Sequence, residues 1–299
     1  MPYLSIMKSH RLLNLLLTLL AVATLTQQAV AQRVPTPQDS LLIATTHWNT
    51  TTTTDGITLH QAQIKGLYSG VQSVEWAVIP AKSIKKSKFG IAGNGGMRPT
   101  SVQAAQHRAV VAINGTYYDM RKGNSVCFYK EGRNTIDSTS VSEFQGRVNG
   151  AIRVYNNKLD ILKWSPSTER NYRGKRGTVL ASGPLLLQKG VVADWSSFGQ
   201  SFINDRHPRS AVFTTRKGDV VMMTVDGRSK GNADGVSIPE LAFLARMLGA
   251  EDAINLDGGG STTLWLKELG VVNYPSDNRR YDHAGERAVS NIVYFSIEK

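Results

Sequence analysis

The sequence contains little cysteine, few acidic side chains and no long apolar run beyond its first 31 residues. Cys127 is the single cysteine among 299 residues, so a disulfide within the chain is excluded. The folded chain must therefore depend on its hydrophobic core, which suits export to a bacterial periplasm or exterior better than an animal secretory route. Cys127 stands between Val126 and Phe128, and we expect it to be a small buried apolar residue.

The N-terminal residues carry a short basic stretch followed by an apolar one. Lys8 and Arg11 precede the apolar run 12–25, and the small residues Ala29 and Ala31 follow it. This order predicts a cleaved secretory signal peptide over residues 1–31, with a periplasmic or secreted location. Later segments do not approach the ~20 apolar residues that a spanning helix needs, so we expect no stable membrane insertion after cleavage.

The shortage of acidic residues gives the chain a positive charge. Lysine and arginine number 35 against 23 aspartate and glutamate residues, a formal charge of +12. This balance is typical of nucleic-acid-binding proteins, but the predicted export and the lack of a recognisable nucleic-acid module argue against that class. We expect an anionic glycan as the partner, for example a phosphodiester-linked envelope polymer. A generally basic, solvated surface is the alternative, and the sequence does not indicate the oligomeric state.

The residue composition and pattern of the sequence change at Ile57. Residues 32–56, which are rich in proline and threonine, are typical of a polar leader or linker. Beyond them, short apolar or alternating segments predict strands, and residues 211–225 predict a hairpin. Helical spacing is clear in Ile238–Gly249. We therefore predict an α+β fold for residues 57–299: a strand-rich single domain with a mixed or antiparallel sheet and one or two covering helices.

The individual elements can also be placed. The predicted strands are 74–79, 109–113, 126–129, 151–155, 158–163, 178–187, 211–215, 219–225, 264–266 and 289–297, and a short helix is predicted at 101–107.

The most informative segment is the glycine loop, residues 257–262. An apolar strand ends at Asp257, three glycines (Gly258, Gly259 and Gly260) follow, and then come the hydroxyl residues Ser261 and Thr262. A backbone without Cβ atoms can adopt positive φ and present bare N–H groups to an oxygen-rich ligand. We expect this loop to bring backbone close to such a ligand; a plain glycine-rich turn is the alternative.

Three other stretches share the pattern of an apolar strand that ends in polar residues and glycine or proline. They are Asn114-Gly115, Ser182-Gly183-Pro184, and His207-Pro208-Arg209-Ser210 paired with Val225-Asp226-Gly227-Arg228. Strand ends are where a rigid scaffold presents functional groups. Each stretch alone is also an ordinary turn former, so their joint occurrence is what indicates a site.

The order of these motifs resembles the phosphodiester glycosidase family over residues 70–298, and the helix before the glycine loop fits the same layout. The resemblance implies an exported hydrolase that cleaves the glycosyl–phosphate bond of a GlcNAc-like sugar-1-phosphodiester. The resemblance also implies an association with exopolysaccharide, as for many bacterial members of the family. The family often has a second glycine where this chain has Thr116, and this side chain is expected to alter specificity.

Such a substrate needs a cationic clamp for phosphate and a carboxylate for water activation or covalent capture. We predict Asp257 as the catalytic carboxylate and Asp226 as its partner; Asp226 as a turn residue is the alternative. Arg209 and Arg228 are the predicted clamp, because guanidinium groups bind phosphate bidentately. A structural ion pair is the alternative for Arg209. The remaining predicted substrate-binding residues are Asn114, Gly115, Ser182, Gly258, Gly259, Gly260, Ser261 and Thr262.

Neither a metal nor another cofactor is expected. Asp226, Asn232 and Asp234 are close in sequence, but their spacing does not match a calcium loop, and no His/Cys cluster indicates zinc. Two alternative functions remain open: a non-catalytic glycan-binding or exopolysaccharide-assembly protein, and a phosphodiesterase that cleaves the P–O bond.

Overall fold

A computed structural model describes residues 34–93 and 96–297, which form three β-sheets and several short helices. The predicted signal peptide lies outside the described residues. The strands are β1 (Asn49–Thr52), β2 (Thr58–Lys65), β3 (Val71–Ile79), β4 (Ser87–Ala92), β5 (Ala109–Asn114), β6 (Tyr129–Glu131), β7 (Asn134–Asp137), β8 (Gly150–Tyr155), β9 (Lys158–Lys163), β10 (Thr178–Ser182), β11 (Leu185–Gln188), β12 (Val191–Val192), β13 (Arg209–Thr215), β14 (Val220–Val225), β15 (Ala250–Asn255), β16 (Leu264–Leu266), β17 (Gly270–Val271) and β18 (Ile292–Ile297). The helices are α1 (Pro37–Thr45), α2 (Thr100–Gln106), α3 (Val141–Gly146), α4 (Pro166–Asn171), α5 (Gln200–Asn204) and α6 (Ile238–Met247).

All three sheets are built from antiparallel pairs. The large sheet has eight strands in the order β1-β2-β3-β14-β13-β15-β11-β12. The second has the order β7-β6-β10-β8-β9, and the third has the order β17-β16-β5-β18-β4. The strand-rich α+β class predicted from the sequence is confirmed, and the single predicted sheet resolves into three.

Alternating apolar side chains give the large sheet two buried faces. One face shares a core with the other two sheets, where Ile79, Ile152 and Phe295 meet. The opposite face packs against α6, where Leu241 and Leu244 are fully buried. Each such side chain contributes about 1.5–3 kcal/mol to folding when it is removed from water. The large sheet is therefore packed on both faces, and the ends of its strands can hold a site rigidly.

Helix α6 begins where its capping residues predict. Ser237 caps the amide of Glu240, and the Glu240 side chain accepts a hydrogen bond from the Ser237 amide at 2.9 Å. This reciprocal capping box satisfies two amides that the first turn leaves unpaired. Glu240 is also buried and pairs with Arg206 at 2.6 Å, so its role extends beyond the helix dipole.

The structure differs from the sequence interpretation in two places. Residues 32–56 contain helix α1 and strand β1, which pairs with β2, so much of the presumed polar leader belongs to the folded chain. The predicted strand 178–187 is two strands, β10 and β11, which lie in different sheets. Gly183-Pro184 separates them, and Pro184 has no amide to continue a ladder.

Within residues 34–93 and 96–297, the helices are all too short or too polar to cross a membrane.

Candidate active site

One end of the large sheet brings the predicted motifs together. Strand β13 lies between β14 and β15, with Arg209 opposite Val225 and Ala211 opposite Asn255. The residues that follow β14 and β15, Asp226 and Asp257, therefore both lie beside the start of β13. This register follows from the antiparallel pairing of the three strands.

The glycines after the two aspartates allow the loops to pack on the start of β13. A Cβ at Gly258 would lie 2.5 Å from the Pro208 carbonyl oxygen, and one at Gly227 would lie 2.9 Å from the Pro208 nitrogen. Both contacts are too close for a real side chain. Glycine at these positions therefore reflects close backbone approach rather than turn formation alone.

Asp257 is held by the backbone while its side chain stays half-buried. Its amide donates to the Gly115 carbonyl at 3.0 Å, its carbonyl accepts from Asn114 Nδ2 at 2.7 Å, and its Oδ1 accepts from the Gly258 amide at 3.0 Å. Burial raises the pKa of Asp257, while a hydrogen bond from Ser261 and the charges of nearby arginines oppose the rise. The result is a fixed carboxylate with access to the surface.

Two arginines lie over the glycine loop. A Cβ at Gly259, whose φ is +63°, would lie 2.9 Å from Nη2 of Arg228, and one at Gly260 would lie 2.5 Å from Nη2 of Arg287. Arg228 is exposed, whereas Asp277 holds Arg287 through a 2.8 Å bond to Nε. The glycines thus make room for two guanidinium groups at the loop.

A third arginine, Arg147, belongs to the loop between α3 and β8, which is a strand of the second sheet. The Arg147 guanidinium lies 3.7 Å from the ring centroid of Tyr117 and donates to Glu143 at 2.6 and 2.8 Å. Burial lowers the pKa of Arg147, but the hydrogen bonds of Glu143 and the charge of Asp257 outweigh it and raise the pKa overall. The sequence interpretation missed Arg147 and Arg287, because both belong to loops with no motif around them.

Arg209 is buried and bonded to the backbone. Its Nε donates to the Val236 carbonyl at 3.1 Å, and its Nη2 donates to the carbonyls of Phe202 and Asp205 at 2.9 and 3.0 Å. Burial lowers the pKa of Arg209 to about 10. The structure shows a scaffold arginine that bonds to the backbone of neighbouring loops, and its predicted phosphate contact stays a prediction.

Asn114, Gly115 and Ser182 also act in the scaffold. Asn114 Oδ1 accepts from Ser210 Oγ at 2.6 Å and from the Thr263 amide at 3.1 Å, so its side chain joins three segments. A Cβ at Gly115 would lie 1.9 Å from Asn291 Oδ1. Ser182 donates to the Asn255 carbonyl at 3.1 Å. Their predicted substrate contacts stay predictions; the observed bonds hold the loops in place.

The hydroxyl residues of the loop are buried. Ser261 Oγ lies 3.4 Å from the Tyr118 hydroxyl, and the Thr262 carbonyl accepts from Asn273 Nδ2 at 3.1 Å. Thr116, expected near substrate, is instead buried, and so is Cys127, which is fully buried as predicted. Thr116 therefore packs in the core.

Asp226 differs from Asp257 in its surroundings. It is 1% exposed, and it accepts bonds from Asn273 Nδ2 at 2.8 Å and from the Tyr274 amide at 2.9 Å. Beside it in the sheet lies Glu75, a buried residue that pairs with Thr224 and that the sequence interpretation took only as part of a strand. Burial and the charge of Asp226 raise the pKa of Glu75 well above its usual range. A charged residue inside an apolar strand was the available signal.

Among the described residues, no group of three His, Cys, Asp or Glu side chains converges to hold a metal ion. The expectation that no metal is required stays a prediction.

Comparison with known proteins identifies the family of the chain. The family model described as phosphodiester glycosidase matches residues 107–296. Bovine N-acetylglucosamine-1-phosphodiester alpha-N-acetylglucosaminidase is 39% identical over 177 residues, which cover 56% of this chain and 33% of the bovine protein. The chain thus spans about a third of the length of that relative.

Solved structures share the fold. The zebrafish N-acetylglucosamine-1-phosphodiester alpha-N-acetylglucosaminidase catalytic domain, auto-inhibited by its pro-peptide, has a TM-score of 0.63 at 17% identity, covering 85% of this chain and 89% of that chain. A hypothetical protein from Synechocystis has a TM-score of 0.65 at 18% identity, covering 85% and 64%. At these identities the likeness shows the fold alone. Because the family model matches more than half of its residues, the chain belongs to the phosphodiester glycosidase family.

Proposed function

We propose that the chain is an exported hydrolase that cleaves the glycosyl–phosphate bond of sugar-1-phosphodiesters in envelope or extracellular glycans. The observation that carries this proposal is the half-buried carboxylate of Asp257 beside the guanidinium groups of Arg147, Arg228 and Arg287. An anionic substrate needs the cations, and attack at its anomeric carbon needs the carboxylate. The bovine relative's name supports GlcNAc as the sugar.

The charge balance of the site fits a phosphodiester. Arg147 is paired with Glu143 and Arg287 with Asp277, whereas Arg228 makes no ion pair with any residue that the structure describes. Guanidinium groups bind phosphate oxygens through parallel hydrogen bonds. Arg228 therefore supplies an uncompensated charge for the single negative charge of a diester, and the paired arginines supply oriented donors.

The reaction then proceeds at the anomeric carbon. The bond between C1 and the phosphate oxygen breaks, and the phosphate leaves with the electron pair as a monoester. The arginines stabilise the negative charge that develops on it. Water supplies the new oxygen on C1, either activated by Asp257 or after Asp257 has bonded to C1. Phosphate leaves readily, so the site does not need a strong general acid.

The test is incubation of the purified chain with a GlcNAc-1-phosphodiester and identification of the products. We expect free GlcNAc and a phosphomonoester, at a rate that a chelator does not change. Turnover should be lost in Asp257→Asn and kept in Asp252→Asn. Asp252 is the matched control because it lies on β15 and accepts the Lys189 amide at 2.9 Å at the surface.

The other outcomes contradict the proposal in distinct ways. GlcNAc-1-phosphate as the product would show cleavage of the P–O bond. Binding of a panel of sugar-1-phosphodiesters without turnover would show a non-catalytic glycan-binding protein. Turnover that survives in Asp257→Asn would remove Asp257 from the reaction. Export is tested separately, by locating the mature N-terminus and the cell fraction in which the protein accumulates.

A further inference from the structure

A loop of residues 273–288, here called the 273–288 loop, carries Arg287 to the glycine loop. Its own contacts give it a defined shape. The Tyr274 ring stacks between Tyr281 at 4.0 Å and His283 at 4.4 Å, and Nδ1 of His283 lies 2.7 Å from the Asn273 carbonyl. Arg287 is bonded to Asp277 within the same loop. These contacts give the 273–288 loop a defined shape, in which Asp277 orients the Arg287 side chain.

Ser101 and Tyr118 hold the C-terminal end of the 273–288 loop at Glu286 and Ala288, and its N-terminal end is anchored by the buried carboxylate of Asp226. Its two oxygens accept from the Asn273 side chain and the Tyr274 amide, the first residues of the loop. Asn273 also donates to the Thr262 carbonyl at 3.1 Å and accepts from the Leu264 amide at 2.8 Å. Through Asn273, Asp226 thus holds both the glycine loop and the loop that carries Arg287.

Glu75 supports this anchor from strand β3. Ser73 Oγ donates to Glu75 Oε1 at 2.8 Å, and the Tyr281 hydroxyl donates to Ser73 Oγ at 3.1 Å, which gives the loop a second attachment. Glu75 and Asp226 are both nearly inaccessible and are neighbours in the sheet: Glu75 pairs with Thr224, two residues before Asp226, and the Asp226 amide donates to the Ser73 carbonyl at 2.9 Å. Two buried carboxylates cannot both ionise in contact, so one proton lies between them. Because Asp226 already accepts two N–H bonds, Glu75 carries the proton.

We propose that Glu75 and Asp226 are positioning residues that share one proton and fix the 273–288 loop, so that Arg287 lies over the glycine loop and binds the substrate phosphate. Neither carboxyl touches substrate. This inference rests on the proposed function for its substrate, but the placement of the loop does not depend on which reaction the site performs. It also gives Asp226 a different role from the catalytic partner that the sequence predicts.

The proposal predicts an asymmetry between two isosteric changes. Glu75→Gln keeps a donor toward Asp226 and an acceptor for Ser73, so it should change KM less than twofold. Asp226→Asn replaces an oxygen acceptor with an N–H₂ group that faces an N–H donor, so it should raise KM about tenfold or more, with a much smaller effect on kcat. Arg287→Ala should raise KM by a similar factor.

A double variant separates positioning from a general structural role. If Asp226 acts through Arg287, Asp226→Asn should add little to the KM of Arg287→Ala, because the contact is already lost. If the two substitutions acted independently, the factors by which each raises KM would multiply in the double variant. Multiplied effects, or a Glu75→Gln variant as impaired as Asp226→Asn, would overturn the proposal.

Hydrogen exchange without substrate makes the test independent of activity. In Asp226→Asn, amide exchange within residues 273–288 should rise at least tenfold, while exchange in the hairpin β13–β14 stays unchanged; in Glu75→Gln both should match the unchanged protein. Loop protection that persists in Asp226→Asn would contradict the proposal even if no substrate were cleaved. If Asp226→Asn does not fold, Glu75→Ala against Glu75→Gln gives the same comparison, with faster loop exchange expected for Ala alone.

Discussion

Asp257 and Asp226 stand at the same end of the large sheet, each directly before a glycine and each beside the start of β13. They nevertheless have different surroundings. Asp257 is half-buried and is influenced by arginine charges, whereas Asp226 is buried, accepts two N–H bonds and adjoins a second carboxyl, that of Glu75. A carboxylate that reacts needs access and cations, while one that positions loops needs saturated hydrogen bonds.

The difference between the two aspartates comes from residues that are distant in sequence. Arg147 and Arg287 reach Asp257 from the second sheet region and from the 273–288 loop, and Glu75 reaches Asp226 from β3. Local sequence makes both positions alike, and tertiary structure separates their chemistry. Variants at the two positions, and at the groups around them, test this comparison.

The largest expected effect is on kcat, which should fall far more in Asp257→Asn than in Asp226→Asn. Asp257→Asn should lower kcat about 10³-fold or more, because a base or nucleophile at the reacting carbon is removed. Asp226→Asn should keep kcat within about tenfold of the unchanged protein, since it weakens phosphate binding through Arg287. Steady-state kinetics with a GlcNAc-1-phosphodiester measure both values. Equal losses of kcat would show that both carboxyls take part in the chemistry.

The next largest effect separates two arginines of the predicted clamp. Arg209→Ala removes a buried side chain and leaves three carbonyls without their donor, so it should lower the free energy of unfolding by about 3 kcal/mol or more. Arg228→Ala removes an exposed side chain and should change stability by less than about 0.5 kcal/mol while raising KM about tenfold. Urea unfolding and KM measurements give the two numbers.

A different result would identify Arg209 as a phosphate-binding residue. If Arg209→Ala folded with unchanged stability and raised KM, Arg209 would be the phosphate-binding residue that the sequence predicts.

Much of the fold follows from local sequence. The hairpin β13–β14, the helix α6 and the glycine loop each carry their own signals: alternation around a short turn, a capping box, and three glycines after a strand. Helix α1 was missed although Thr36 and Asp39 form a capping box, because its apolar residues 41–44 are consecutive rather than helically spaced and its docking depends on Asp39 accepting the Tyr68 amide at 2.7 Å.

The site was predicted only in part, for a physical reason. Asp257 and the glycine loop could be located, because a loop that brings backbone close to a ligand must omit side chains. The partners Arg147, Arg287 and Glu75 could not be assigned, since their positions depend on how separate sheets and loops pack. The stretch 178–187 shows the same limit: its apolar residues predict strand, but not that the strand divides between two sheets.

A smaller effect is expected from the glycine under Arg287. In Gly260→Ala the new Cβ would meet the paired ends of the Arg287 and Asp277 side chains, which can shift together, so stability should fall by less than about 1 kcal/mol. The shift should raise KM up to tenfold. Gly199→Ala is the matched control, because a Cβ there would meet nothing within 4 Å. An unchanged KM in Gly260→Ala would show that Arg287 does not contact the substrate.

The smallest effect concerns pH and stability on the Asp226 side. In the folded chain, burial and the charge of Asp226 raise the pKa of Glu75 above its unfolded value of 4.5. Above pH 4.5 the unfolded chain loses a proton that the folded chain keeps, so this group stabilises the fold less as pH rises. Asp226, Tyr274 and Tyr281 face Glu75, and both tyrosines have raised pKa values and stay neutral here.

Glu75→Gln removes this titration while keeping the shape of the side chain. We expect the stability of the variant relative to the unchanged protein to increase between pH 4.5 and pH 7, measured by urea unfolding at each pH. Asp257→Asn gives the matching measurement for the other aspartate, where the arginine charges oppose the rise in pKa, so its pH-dependent difference should be smaller. A larger pH dependence at Asp257 than at Glu75 would mean that Asp257, not the buried pair, is the carboxyl that the fold keeps protonated.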